Sequence, residues 1–375
     1  MVRRLLLERN ALDALDLYCR KANARTLKRL ALFLGAAQGT NKTIMRENIQ
    51  FQARCLEELR KRKQENNVIS VLAIDAGIAN FAFARFSWAS DQRLPLLLDW
   101  NKIQLKEKFL PENRYSMTLS PRDTSDVVYN LTEYLTSELP VPDMFTIERQ
   151  RARSMSSKSI LEPILKVNIL EQVLFSNLEN KMRFNHGSSK LNYMVESSDP
   201  HRMTSYWCSL TPTKKALSKN FPEDSEESKL KITSNRLSKS IKINLVKRLL
   251  EGALGLTDEK VIDLTPEWSQ RLKSHIPRNP KFKLWDCAGL GPKAGARKDD
   301  DLADAFLHGL AWIEWLRAYE EVREIVLKEK GKYDQDVLAD FNDYCKNKKL
   351  ALEKFQQGTT SRLTELEPSD EDDYE

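Results

Sequence analysis

Three places in this 375-residue chain join an acid to a segment that would hold it still. Ile74-Asp75-Ala76-Gly77 ends an apolar, β-branched run on an acid, and Gly77 lets the chain leave closely. Thr146-Ile147-Glu148 repeats the arrangement at the end of a second short strand. In Asp299-Asp300-Asp301-Leu302-Ala303-Asp304 the three-residue spacing puts Asp301 and Asp304 on one helix face. The four-residue spacing does the same for Asp300, so spacing leaves both open as the partner of Asp304. Carboxylates from two strand ends and one helix form an oxygen donor set suited to Mg2+ or Mn2+ rather than to soft metals. Two such ions, about 3.5–4 Å apart, activate a water and stabilise the leaving oxygen in phosphodiester hydrolysis. Singly, each acid has a plainer explanation: a turn or cap residue, an N-terminal helix cap, or, for Glu148, an ion pair with Arg149. Their joint order along the chain favours a shared centre.

Several neighbours fit such a centre. Arg149, Gln150, Arg151 and Arg153 follow Glu148 directly and are candidate contacts to phosphates flanking a scissile bond, as are Lys158 and Lys298. His308, one turn after Asp304, is placed to orient a water or a metal ligand, or to be a hydrogen-bonded structural histidine.

The elements that must position these groups follow from periodicity. Val68 to Asp75, Phe81 to Trp88 and Leu94 to Leu105 predict an antiparallel meander of three strands. Ser125 to Leu139 predicts a helix, Asp143 to Glu148 a fourth strand, Ile160 to Leu178 a long apolar helix, and Asn192 to Glu196 a fifth strand. Ser238 to Leu250 reads as an amphipathic helix, and Asp299 to Tyr319 as the last strong helix of this domain. The fold expected is α/β, a mixed five-stranded sheet flanked by helices over residues 68–330, with residues 197–236 a mobile insertion. Residues 1–59 read as a small helical module, 60–67 as a charged linker, and 331–375 as a charged, disordered acidic tail.

Composition agrees with a polyanionic partner. The formal charge is +6, yet seven acids crowd the last eleven residues, and without them residues 1–363 carry about +13. The five cysteines, Cys19, Cys55, Cys208, Cys287 and Cys345, are scattered without a Cys-x-x-Cys pair, which argues against a disulfide framework or a zinc site. No run of eighteen apolar residues predicts a membrane span. At the start, Arg3 and Arg4 among leucines hint at an organellar transit segment, although Glu8, Asp13 and Asp16 follow at once.

The stretches IDAGIANFAFARF, IERQRARS and KDDDLADAFLHGLAWI resemble the three sites of the fungal mitochondrial Holliday-junction resolvases, which are similar to bacterial RuvC. The resemblance spans about residues 68–320. It implies an RNase H-like fold and a homodimer in mitochondria that binds a four-way DNA junction and cuts it symmetrically in DNA recombination. It also implies a magnesium-dependent endonuclease with two ions per active site. By the same resemblance Asp75 would lie centrally on the first strand, Glu148 on the fourth, and Asp301 and Asp304 on the final helix, with Asp300 the alternative third ligand. The long helix from Ile160 is the candidate dimer interface, although burial in a single core would explain its apolarity equally well. LKRLALFLGAAQGTNKTIMRENI resembles a SAP-type module, with Lys42 and Arg46 placed to meet phosphates. Two other readings stand beside this one. A non-catalytic junction-binding protein would share the basic body, and an actin-like ATPase would share Asp75-Ala-Gly77, though it needs further glycine-rich loops.

Overall fold

The computed structural model describes residues 2–112, 120–150, 162–184, 191–208, 234–276, 282–290, 298–328 and 333–361. In chain order the first helices are α1 (Val2–Lys21), α2 (Ala24–Leu34), α3 (Lys42–Asn66), α4 (Leu105–Phe109), α5 (Pro121–Glu133) and α6 (Glu162–Phe184). They are followed by α7 (Pro200–Cys208), α8 (Ser234–Ala253), α9 (Pro266–His275), α10 (Leu284–Cys287), α11 (Asp300–Leu327) and α12 (Gln335–Ser361). The strands are β1 (Val68–Asp75), β2 (Phe81–Ala89), β3 (Leu96–Ile103), β4 (Met144–Glu148), β5 (Met194–Ser198) and β6 (Asp263–Leu264). Two compact units result, one of residues 58–201 and 249–314, the other of residues 1–57, 202–248 and 315–375.

The first unit holds a mixed sheet of order β5-β4-β1-β2-β3-β6. β1, β2 and β3 form the antiparallel meander, while β4 adds to β1, and β5 to β4, in parallel. Parallel addition requires a crossover, which α5 supplies before β4 and α6 before β5. Ser120 and Asp123 form a reciprocal cap at the start of α5, and Pro121 occupies its first position, so the crossover begins at a fixed point. Side-chain alternation then divides the sheet into two faces. Leu72, Ile74, Phe81, Phe83, Phe145 and Ile147 join Val127 and Leu131 of α5 and Leu170 and Leu174 of α6 in one apolar cluster. Ala73 and Thr146, of the other parity, face α11. A Cβ on Gly309 would lie 2.9 Å from Phe86 Cδ2 and 3.4 Å from Ala73 Cβ, so glycine there lets the helix approach the sheet. Trp312 Nε1 donates to Thr146 Oγ1 at 2.9 Å one turn further on.

Among the described residues the sheet has six strands instead of the five expected. β6 is two residues long, pairing Asp263 and Leu264 with Leu96 and Leu97, and is too short to leave a periodic signal. The supposed linker at 60–67 is also corrected, because α3 continues to Asn66 and the turn is made by Asn67 alone, at φ 58°. The charges there are held by partners: Arg62 donates to Asn192 O and Oδ1 at 2.7 and 3.0 Å, and Lys63 Nζ sits 3.1 Å over the Trp88 ring. Of the insertion expected at 197–236, Ser197 and Ser198 complete β5, α7 follows, and α8 opens at Ser234; residues 209–233 lie outside the described residues.

The second unit is helical. Asn23 caps α2 through Thr26 N, Gly35 closes it in the left-handed region, and Asn41 Oδ1 accepts from Ile44 N at the start of α3. The disordered tail expected from residue 331 is corrected over Gln335–Ser361, which form α12. Val337, Phe341, Cys345 and Leu352 are buried at spacings of four, four and seven residues, a helical stripe thin enough to be hidden by the surrounding charge. Tyr344 OH donates to Glu321 Oε2 at 2.7 Å, and Phe341 packs at a centroid separation of 6.1 Å from Tyr18. Residues 362–375, with the acidic end, lie outside the described residues. None of the five cysteines, all among the described residues, forms a disulfide, and no described helix is long and apolar enough to cross a membrane.

Candidate metal centre

Parallel register explains how two of the acids meet. Ile74 pairs with Ile147 across β1 and β4, so the next residues, Asp75 and Glu148, end adjacent strands side by side and point to the same face. Glu148 pairs with Ser198 at the end of β5, while Asp75 pairs with Ala82 and Ala82 with Lys102 of β3. One row across the sheet therefore reads Ser198, Glu148, Asp75, Ala82, Lys102. Ala82 leaves room at its middle. Gly77, where a Cβ would stand 2.6 Å from Asn80 O, lets the chain turn sharply out of β1.

α11 brings the third acid over this row. Asp75, Glu148 and Asp304, all half-buried, offer carboxylate oxygens within 4.8 Å of one another. Such convergence is costly for bare anions and suits a hard divalent cation, which takes oxygen ligands and offsets their repulsion. His308, one turn after Asp304 and 1% exposed, stands with Nε2 3.0 Å from Glu148 Oε2 and Nδ1 3.1 Å from Ser198 Oγ. It thereby stands between Glu148 and the end of β5.

The other predicted residues fall as follows. Asp301 is not in the triad: its Oδ2 lies 3.2 Å from Lys102 Nζ, which also donates to Lys298 O at 2.7 Å. Burial pushes the Asp301 carboxyl up from its ordinary range, as does the charge of Asp300, against the pull of Lys102 and Lys298. Asp300 is half-buried in the first turn of α11, and the main-chain O of Asp299 accepts from Ala303 N while its Oδ1 accepts from Trp285 N. Arg149 is exposed, its main-chain N–H bound to Ser198 O, and Lys298 is exposed before α11. Gln150 turns inward and donates from Nε2 to Asp75 Oδ1 at 3.2 Å. In the helical unit Lys42 is exposed, while Arg46 pairs with Asp16 at 3.3 Å. Arg151, Arg153 and Lys158 lie outside the described residues.

Sequence reading missed Lys102, Ser198 and Glu171. Glu171 did leave a signal, an acid inside the apolar stretch Ile169-Leu170-Glu171-Gln172-Val173-Leu174. Its Oε2 accepts the Gln150 N–H at 2.8 Å. Burial raises its pKa and the nearby Glu148 adds to the rise, while the Gln150 bond and Arg149 oppose it.

Fold and site together define an α/β protein with a carboxylate centre suited to a divalent cation at the carboxyl ends of its parallel strands. The chain belongs to the family described as mitochondrial resolvase Ydc2 / RNA splicing MRS1, which matches residues 71–322. It is 44% identical over 358 residues to "Cruciform cutting endonuclease 1, mitochondrial" of Saccharomyces cerevisiae, covering 93% of this chain and 96% of that one. It is 28% identical to "Mitochondrial RNA-splicing protein MRS1" of the same organism over 95% of this chain and 97% of the relative. The crystal structure of the yeast mitochondrial Holliday junction resolvase Ydc2 aligns with TM-score 0.49 and 19% identity, over 82% of this chain and all of that one.

Proposed function

We propose that this protein is a mitochondrial endonuclease that cuts cruciform, four-way DNA junctions by metal-dependent phosphodiester hydrolysis. The observation that carries the reading is the convergence of Asp75, Glu148 and Asp304 within 4.8 Å in a chain 44% identical to a cruciform-cutting endonuclease. The relation to the protein named for RNA splicing is more distant, at 28%.

In this reading Asp75, Glu148 and Asp304 hold Mg2+, for which Mn2+ can substitute, and Asp300 or Asp301 supplies a carboxylate toward a second ion. When bound, such ions activate the attacking water and stabilise the leaving oxygen of an in-line displacement. The chain's own residues hold the centre in place: His308 stands against the Glu148 carboxylate, and Lys102 holds the first turn of α11, one turn before Asp304. Arg149, Arg151, Arg153, Lys158 and Lys298 contact phosphates flanking the cut, and Lys42 and Arg46 of a SAP-like helical module contact a junction arm. A homodimer with an RNase H-like fold presents one such site to each of two strands. Its interface is α6, where Leu165 and Ile169 are exposed one helical turn apart.

The test is incubation of purified protein with synthetic four-way junctions and with linear duplex, in Mg2+ and in chelator. Junctions are cut in Mg2+ alone, and Asp304→Asn lowers cutting by at least about 10²-fold while junction binding is retained. An unmodified protein that binds junctions but cuts none in Mg2+ would return the chain to the binding-only reading.

A further inference from the structure

Two polar groups behind Asp75 are linked in series. Gln150 donates its side-chain amide to Asp75 Oδ1 at 3.2 Å and its main-chain N–H to Glu171 Oε2 at 2.8 Å. Glu171 is 3% exposed, on a helix whose neighbouring Leu170 and Leu174 belong to the apolar cluster under the sheet. A buried carboxylate there is costly unless bonded, so its bond to the Gln150 N–H fixes where the chain leaves β4. The Gln150 amide is then held at one lone pair of Oδ1, which restricts rotation of the Asp75 carboxylate about χ2.

Resting on the metal-centre reading above, we infer that Gln150 and Glu171 are positioning residues that orient Asp75 for the divalent cation. Gln150 belongs to the metal site and not to the DNA surface that its place among arginines suggests. The gain is entropic. A strand-end carboxylate free to rotate must be ordered when the ion arrives, and a support already made by α6 and the β4 exit removes that cost. Groups one bond removed from a metal ligand typically govern about 10–100-fold of metal affinity.

The experiment is a Mn2+ titration of the full chain without DNA, followed by the resonance of unbound Mn2+, with junction binding measured separately in chelator. Gln150→Ala is expected to weaken Mn2+ binding by about tenfold and to leave junction binding in chelator unchanged. Glu171→Ala is expected to weaken Mn2+ binding in the same direction, and Glu171→Gln, which keeps an acceptor, to restore it. If Glu171→Ala fails to fold, Gln150→Ala and Glu171→Gln still decide the matter. Mn2+ affinity unaltered in Gln150→Ala overturns the inference alone, and so does a loss confined to junction binding, which would return Gln150 to the DNA. A wild-type protein that takes up no Mn2+ overturns both the inference and the metal-centre reading.

Discussion

At the centre, the chemistry of single groups is set less by type than by what stands beside them. Asp75 and Asp301 are both aspartates in motifs that resemble a catalytic site, yet one meets Glu148 and Asp304 while the other meets Lys102. Glu171 is a buried acid with a perturbed titration. Burial raises its pKa, so the folded chain holds that proton more tightly than the unfolded chain does. The sign follows: in chelator, stability declines as pH rises from the ordinary carboxylate range through the elevated value, and the loss is complete above it. Thermal unfolding across that window should show a decline in the wild type that is smaller in Glu171→Gln. Equal slopes in the two proteins would assign the pH dependence elsewhere.

Among the elements, α11 decides whether the acids on β1 and β4 have a third partner. Its approach to the sheet depends on Gly309, with Phe86 and Ala73 directly beneath. A Gly309→Val side chain would have to displace the Phe86 ring or lift the helix, at a cost of about 1–3 kcal/mol. Chemical denaturation should therefore show reduced stability. Cutting should fall by more than the lost folded fraction explains, because Asp304 moves with the helix. A variant that is destabilised yet fully active per folded molecule would mean that the site tolerates a lifted helix. α6 matters in a different way, since it is both a crossover required for the parallel β4–β5 pair and the carrier of Glu171.

Two expectations concern the molecule as a whole. The buried stripe on α12 makes residues 335–361 part of a folded unit, so Phe341→Ala should cost about 3–5 kcal/mol and lower the unfolding temperature. An unchanged unfolding temperature would restore the view of that segment as a dispensable tail. The charge of about +13 on residues 1–363 predicts an electrostatic share in DNA affinity. The logarithm of junction affinity, measured in chelator, should fall linearly with the logarithm of salt concentration, by about 0.9 per phosphate neutralised. A flat dependence would exclude those lysines and arginines from the interface.

Local pattern was enough to find the β1, β2, β3 and β4 strands, the helix from Asp299 and the acids at their ends, because alternation and helical spacing are properties of short segments. It failed where the signal was short or diluted: two-residue β6, the charged end of α3, and α12 with its thin apolar stripe. It also left Asp300 and Asp301 both open as the partner of Asp304, since spacing fixes the angle between residues on a helix but not the phase of that helix against a sheet. The packing of Gly309 over Ala73 and Phe86 set that phase, turning Asp304 toward Asp75 and Glu148, while Asp301 meets Lys102. Lys102, Ser198 and Glu171 became part of the site only when strands and helices far apart in the chain came together. Such neighbours are made by long-range contact, which no local periodicity encodes.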